Sequence, residues 1–386
     1  MLLSSDLLKV PVMSESRPNA YETRRIRQTG YMDNEVPEAI QARPGAETER
    51  DVEALLPTSD RMRALVTRGV GGTDQLEVTA DAPLPVAVNS DLLVRVFASG
   101  INPIEAKTRA GQGLAPLISH PFVLGAEFAG VVVRAPFELA EFQPGDEVWG
   151  MLLSPHYQGA QAEYVSVPMM SVARKPTSLS WLEAGAVPLA ALTAWWAVVE
   201  AARVHTGQRM LIHAGAGGVG HFAVQLAHYY GAEVITTASA RNHEWLRELG
   251  ASQVIDYTAS RFENEIIDPV DVVIDLIGNV RDDTGTRSLR VVRDGGTIIN
   301  VPTGSWPTMH EEVAAEDRGL IASVLKLSPE GRILQTLAQL FDQGDLQVHV
   351  DEVFTLEDAA AAHERIEEGH TRGKLVFDLR GVNASS

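Results

Sequence analysis

The stretch Leu211-Ile212-His213-Ala214-Gly215-Ala216-Gly217-Gly218-Val219-Gly220 decides how this chain is read, because its glycine spacing asks for a phosphate-bearing ligand. A short apolar run precedes Gly215-x-Gly217-x-x-Gly220, and an apolar helical pattern through Phe222, Ala223, Val224, Leu226 and Tyr230 follows it. One glycine permits a tight turn, one lets backbone N–H groups approach a pyrophosphate, and one lets helix and strand pack closely. A lone glycine motif is weak evidence. Here a second strand, Glu233-Val234-Ile235-Thr236-Thr237, ends about 20 residues beyond the first glycine and completes the strand–helix–strand unit in which the motif works. Gly215, Ala216, Gly217, Gly218, Val219 and Gly220 are therefore expected to form a dinucleotide loop.

The surrounding chain suits an α/β protein of two domains. Its 386 residues exceed one comfortable core. With 45% hydrophobic and 22% charged residues the composition is that of an ordinary globular protein. No apolar run approaches the roughly 18 residues that span a bilayer, so no membrane partner is expected. Met1 to Met13 lacks a secretory pattern, which leads to the expectation of a cytosolic protein. A net charge of -19 argues against nucleic acid as a partner, since phosphate backbones would be repelled by the mean field. Zero cysteines exclude disulfides, a thiolate nucleophile and Cys-ligated zinc or iron–sulfur sites.

Residues 1–60 sustain no helical or alternating period and are read as a disordered or loosely packed extension, with a partner-binding arm as the sharper alternative. From Arg61 short strands punctuated by Gly and Pro follow: Met62 to Val66, Leu92 to Ala98, Gly130 to Arg134, Glu147 to Trp149 and Ala162 to Val167. Ser180 is a plausible N-cap for one long helix from Leu182 to Val204. Strands then alternate with helix-length segments at Met210 to His213, Glu233 to Thr237, Gln253 to Tyr257, Val270 to Ile277 and Gly296 to Val301. That alternation demands a mostly parallel sheet covered on both faces. A helix Gly331 to Asp342, a strand Val348 to Phe354, a helix Glu357 to Glu368 and a strand Lys374 to Leu379 end the chain.

Several motifs accompany this order: Gly100-Ile101-Asn102-Pro103-x-Glu105-x-Lys107-x-Arg109-x-Gly111, Gly125-x-Glu127-x-x-Gly130, Pro144-Gly145-Asp146-x-Val148, Ala162-Glu163-Tyr164, Leu192-Thr193-Ala194, the glycine loop and Gly373-Lys374. On them, residues 61 to 380 resemble the medium-chain dehydrogenase/reductase superfamily, in its zinc-independent quinone oxidoreductase (zeta-crystallin-like) branch. The resemblance implies a GroES-like β-rich catalytic domain over 61–187 plus 345–386, a Rossmann doubly wound domain over 188–344, and a homodimer formed through an edge strand. Zinc members of the superfamily carry a His where this chain has Ala126, and cysteine ligands that it lacks altogether. His221 and His228, seven apart on one helix, are read as a surface pair, and no metal is expected.

The cofactor is read as NADPH. An NAD site ends its second strand with an acid for the ribose 2′-OH, whereas Thr237-Ala238-Ser239-Ala240-Arg241-Asn242 has none before Glu244. Arg241 suits a 2′-phosphate as a bidentate donor, with Ser239 as a second donor. The resemblance adds Tyr257 near the adenosine phosphate, Thr193 near the nicotinamide and Lys374 reaching back to the cofactor. Core tyrosine, helix-interior threonine and surface strand residue stand as their alternatives.

For reduction of a quinone or an α,β-unsaturated carbonyl (enone or enoyl) substrate, charge develops on oxygen as hydride arrives, so a donor near that oxygen is needed. The resemblance places the Asn-Pro segment in the interdomain cleft, which makes Asn102 and Lys107 the catalytic candidates and gives Asn102 a second role at the nicotinamide ribose. Against this stands the reading in which Glu105 and Arg109 pair on the surface and Lys107 is solvated. Trp306 is either a lid or a residue packed beneath a loop, and Trp195 and Trp196 are read as core. A non-catalytic NADPH-binding sensor or structural protein of the same fold is the alternative to an enzyme.

Overall fold

The computed structural model describes residues 52–152, 158–280 and 282–383. The expectation for residues 1–51 therefore lies outside the described residues. Of the remainder of that segment, Leu55 packs against the cluster containing Met62 and Val123, and its carbonyl accepts the Tyr164 hydroxyl at 2.9 Å.

Eight strands come first: β1 (Arg61–Thr67), β2 (Leu76–Pro83), β3 (Asp91–Ile101), β4 (Phe122–Val123), β5 (Glu127–Arg134), β6 (Glu147–Met151), β7 (Tyr164–Pro168) and β8 (Val172–Arg174). Six more, β9 (Arg209–Ile212), β10 (Glu233–Ala238), β11 (Gln253–Asp256), β12 (Val270–Asp275), β13 (Val292–Asn300) and β14 (Ile321–Val324), alternate with helices. The last two are β15 (Val350–Phe354) and β16 (Lys374–Asp378).

Strands β9 to β14 form one parallel sheet in the order β11-β10-β9-β12-β13-β14. This is the doubly wound order, and its direction reverses at β9, where the glycine loop leaves the sheet. Adjacent residues serve opposite faces. Met210, Ile212, Val272 and Ile274 join the core beneath Phe222 and Val224, whereas Leu211, Val273 and Ile298 join the opposite core with Phe262 and Trp306. Burial on both faces is why these strands read as continuous apolar runs. Trp306 is thus a packing residue and not a lid.

The other strands form a three-stranded sheet, β2-β1-β4, and a larger one, β15-β16-β3-β5-β6-β8, with β7 also paired to β3. The chain returns to this larger sheet through β16, antiparallel to β3 in a register that sets Leu375 opposite Ile101. That register brings Lys374 beside Asn102, although 272 residues separate them.

Several elements differ from the sequence expectation, which had no counterpart for β2, β4, β8 or β14. The single helix expected from Leu182 to Val204 is broken into α-helices Trp181–Ala186 and Pro188–Trp195, followed by a looser π-helical turn, Trp196–Ala201. Ser180 caps the first as expected, accepting from Glu183 N. Pro188 then interrupts it, since its ring excludes the preceding turn's carbonyl and it donates no N–H. Edge strand β14, whose Ile321 and Val324 are exposed, is too short to announce itself by periodicity.

Candidate active site

The glycine loop has the geometry its spacing implies. Strand β9 ends at Ile212 and a helix, α1 (Gly220–Tyr229), begins at the last motif glycine. A Cβ on Gly215 would lie 2.0 Å from Thr236 Oγ1, and one on Gly220 would lie 2.2 Å from the Ala214 carbonyl. Gly217 differs, because a Cβ there would meet only the Ala214 carbonyl, at 3.3 Å. Its outer side is open, as close approach of a pyrophosphate requires, and the first-turn N–H groups of α1 lack carbonyls within their own helix. The loop therefore fits a dinucleotide.

A buried network supports the loop from below. His213 Nε2 lies 2.9 Å from Ser288 Oγ and its Nδ1 lies 3.2 Å from Thr237 Oγ1. Ser288 donates its own proton to the Thr284 carbonyl, so the imidazole carries its proton on Nε2 and accepts at Nδ1. Thr237 Oγ1 in turn accepts from Ala214 N at 3.1 Å, pinning the first residue of the turn. Burial drives the His213 pKa down to about 4 and keeps the ring neutral. His221 is a correction: it is buried, not one of a surface pair, and only His228 is exposed. Its ring lies against Phe222 and Trp245, with Nδ1 2.9 Å from the Gly217 carbonyl. Burial lowers its pKa to about 3.

Beside the loop sits a buried constellation that joins distant segments. Asn102 caps the N-terminus of the helix Pro103–Arg109. Its Nδ2 donates to Glu127 Oε1 at 2.7 Å, and the Lys374 ammonium donates both to Asn102 Oδ1 and, at 3.0 Å, to Glu127 Oε1. An ammonium only donates and a carboxylate only accepts, so the orientation of the amide follows unambiguously. One N–H of Asn102 remains for a ligand.

The break at Pro188 explains the other side of the carboxylate. Leu189, in the first turn of the second helix, has an N–H without an intrahelical partner, and it donates to Glu127 Oε2 at 2.6 Å. The helix N-terminus adds favourable field to the charge. Thr193, one turn further, is buried and returns its hydroxyl to the Leu189 carbonyl at 2.6 Å.

Lys374 is buried and not a surface strand residue. Its stem runs past the loop, for a Cβ on Gly218 would meet Lys374 Cδ at 3.1 Å, while Gly373 N donates to the Ala216 carbonyl at 2.8 Å. Glu105 and Arg109 are likewise buried and do not pair with one another on the surface. Glu105 accepts from Asn102 N at 2.8 Å and Ala126 N at 3.1 Å, and Arg109 pairs with Glu367. Burial, then the nearby Glu127 carboxylate, raises the Glu105 pKa to about 7 against the pull of Lys374 and of the Glu105 and Asn102 backbone N–H groups.

At the far end, Ser239 follows β10 and its hydroxyl accepts from Asn242 Nδ2 at 3.3 Å. Arg241 is exposed and donates to the His370 carbonyl at 2.5 Å. Arg372, absent from the sequence reading, lies 4.3 Å above the Trp245 ring. Tyr257 is half exposed after β11, which removes the core-tyrosine reading. Lys107 stands apart from the Asn102 constellation, on another face of its helix, in a cleft with Ile366 and Glu367. Glu127 and Glu105 are the site residues that sequence reasoning left without roles; an acid opening the apolar run Phe128 to Val133 was the available signal, because a buried carboxylate must be paired.

Comparison with known proteins agrees with this architecture. Residues 89–177 match the family described as alcohol dehydrogenase GroES-like domain, and residues 249–377 match zinc-binding dehydrogenase. NAD(P)H oxidoreductase RTN4IP1, mitochondrial, of Danio rerio is 30% identical over 82% of this chain and 91% of its own. The chloroplastic NADPH-dependent alkenal/one oxidoreductase of Arabidopsis thaliana is 32% identical over 82% and 79%. The structure of the quinone oxidoreductase from Coxiella burnetii aligns with a TM-score of 0.77 and 37% identity, covering 83% of this chain and all of that one. The mitochondrial relatives, at 24% to 30% identity, overturn the cytosolic expectation. It rested on the lack of a secretory pattern, and mitochondrial leaders follow a different composition. The glycine loop on a doubly wound sheet, the β-rich domain closed by β16 and these relationships lead to one conclusion: the chain belongs to the quinone oxidoreductase-like branch of the medium-chain dehydrogenase/reductase superfamily.

Proposed function

We propose that this oxidoreductase reduces quinones or α,β-unsaturated carbonyl compounds with hydride from NADPH, without a metal. The observation that carries the proposal is the Asn102 amide, locked between Lys374 and Glu127 beside the glycine loop. A fixed amide with a spare N–H is a preorganised donor, able to hold a nicotinamide ribose hydroxyl or the oxygen on which charge develops. When bound, NADPH supplies the hydride. Glu127 and Lys374 hold Asn102 in place, and the open side of Gly217 receives the pyrophosphate.

The choice of NADPH is supported by Ser239 and Arg241 after β10, with no acid among them, and by Arg372 nearby on the segment that accepts from Arg241. In a chain of net charge -19 such local cations provide the attraction that the mean field does not. A zinc site, which the name of one matching family implies, does not fit this chain's donors. Cysteine is absent, Ala126 offers no ligand, the Glu127 oxygens are taken by three donors, and no group of three His, Asp or Glu suited to a metal occurs among the described residues. Two copies are proposed to pair through the exposed edge of β14, which analytical ultracentrifugation tests.

Oxidation of NADPH followed by its absorbance, across quinones, enals and enoyl thioesters with and without chelator, tests the whole reading. Turnover insensitive to chelator supports it. Loss of activity on chelation refutes the metal-free chemistry, and tight NADPH binding without any turnover would favour a non-catalytic binding protein.

A further inference from the structure

Residues 369–374 join the two ends of the site. They leave the helix Ala359–Glu368 through two consecutive left-handed residues, Gly369 at φ 72° and His370 at φ 62°. Arg365 holds this turn by donating to the Gly369 carbonyl at 3.0 Å. The His370 carbonyl then accepts from Arg241 at 2.5 Å, Gly373 N donates to the Ala216 carbonyl of the glycine loop at 2.8 Å, and Lys374 ends at Asn102 and Glu127. Arg372 is thereby bracketed. Two residues before it the chain touches Arg241, after β10, and one residue after it the chain touches the glycine loop.

The Arg372 side chain stays between the same two places. Its guanidinium carbon lies 4.3 Å from the Trp245 ring centre, and Trp245 belongs to the helix His243–Glu248, which begins two residues after Arg241. Trp245 also stacks on His221, at 5.9 Å and 29°, and His221 Nδ1 is tied to the Gly217 carbonyl. Stacking orients a guanidinium while leaving its N–H groups free to donate. Arg372 Nε is buried without a hydrogen-bond partner, and no carboxylate pairs with Arg372 or Arg241 among the described residues. Asp351, which faces His349 together with Arg372, is held by Arg365 at 2.8 Å. Two arginines gathered without a carboxylate, in a chain of net charge -19, form a site that an anion completes.

We infer that Arg372 is the second cation of the 2′-phosphate site: Arg241 exchanges the His370 carbonyl for the phosphate, and Arg372, fixed on Trp245, donates to the same group. This rests on the NADPH reading above. It makes Arg372 a specificity residue for NADPH over NADH.

Calorimetric titration of the full-length protein with 2′,5′-ADP and with 5′-ADP reads the phosphate alone, without turnover. The wild type should bind 2′,5′-ADP at least about tenfold more tightly than 5′-ADP. Arg372→Met should weaken 2′,5′-ADP about tenfold and 5′-ADP less than about twofold, and Arg372→Lys, which keeps the charge without the planar fork, should recover only part of the loss. Trp245→Leu should weaken 2′,5′-ADP about threefold or more in the wild type and add nothing to Arg372→Met, because the ring acts through the guanidinium. The ratio of Kd for NADH to Kd for NADPH should fall in the same order. A wild-type preference retained in Arg372→Met, or equal weakening of both nucleotides, would overturn the inference and leave the NADPH reading standing. A wild type that binds the two nucleotides equally would refute that reading and the inference together.

Discussion

Replacing Lys374 by Met should destabilise the protein far more than a surface lysine change would, and removing Glu127's charge as well should undo most of the damage. Lys374 and Glu127 are 3% and 0% exposed, with the ammonium 3.0 Å from Oε1. Loss of one partner from a buried ion pair costs about 3–5 kcal/mol, chiefly because the other charge stays buried without compensation. Two N–H donors, from Asn102 and Leu189, remain on Glu127 in Lys374→Met. They place the expected loss at the lower end, about 3 kcal/mol. In Glu127→Gln/Lys374→Met no charge is stranded, and the loss should shrink to about 1 kcal/mol, giving a coupling of about 2 kcal/mol or more in the double-mutant cycle. Urea unfolding at pH 7.5, followed by the fluorescence of the six tryptophans, measures all four proteins. A Lys374→Met protein within about 1 kcal/mol of wild type, or additive single-variant effects, would refute the argument that these charges sustain one another.

Three further outcomes follow from the same geometry. Glu105 has a folded pKa of about 7 against an ordinary 4.5, so its contribution is present below pH 4.5 and is lost as pH rises to 7. At roughly 1.36 kcal/mol per pH unit, wild type should lose about 3 kcal/mol relative to Glu105→Gln across that window, and parallel stability curves would contradict the assignment. Gly217→Ala should fold with a loss near 1 kcal/mol or less yet bind NADPH at least about tenfold more weakly, whereas Gly220→Ala, whose Cβ meets backbone at 2.2 Å, should lose about 3 kcal/mol of stability itself; calorimetric titration and melting curves separate the two effects. Arg241→Glu should raise the Kd for NADPH by about tenfold or more and leave NADH nearly unchanged, and equal weakening of both would remove Arg241 from 2′-phosphate recognition.

Much of this protein was legible in its sequence wherever the governing interaction was local. The glycine loop followed from three residues and their flanking periodicities, and the parallel sheet from apolar runs that repeat at helix-length intervals. The same locality explains the errors. Glu105 and Arg109, four apart on a short helix, look like a surface pair; the helix Ala359–Glu368 supplies Glu367 to Arg109, whereas Glu105 is buried beside Asn102 and Ala126. His221 and His228 look equivalent by spacing, but only His221 faces Phe222 and Trp245. Pro188 carried a signal that local rules do read, and it outweighed the apolar continuity on either side.

By itself, then, the sequence determined the glycine loop, the alternation that builds its sheet, and a donor set without cysteine. Only the tertiary structure decided what surrounds Asn102. Asn102, Glu127 and Lys374 are 25, 247 and 272 residues apart in their three pairings, and no periodicity couples such distances. Strand register couples them: β16 pairs with β3, the Pro188 break turns an N–H toward Glu127, and a carboxylate, ammonium and amide satisfy one another because their burial shields them from solvent.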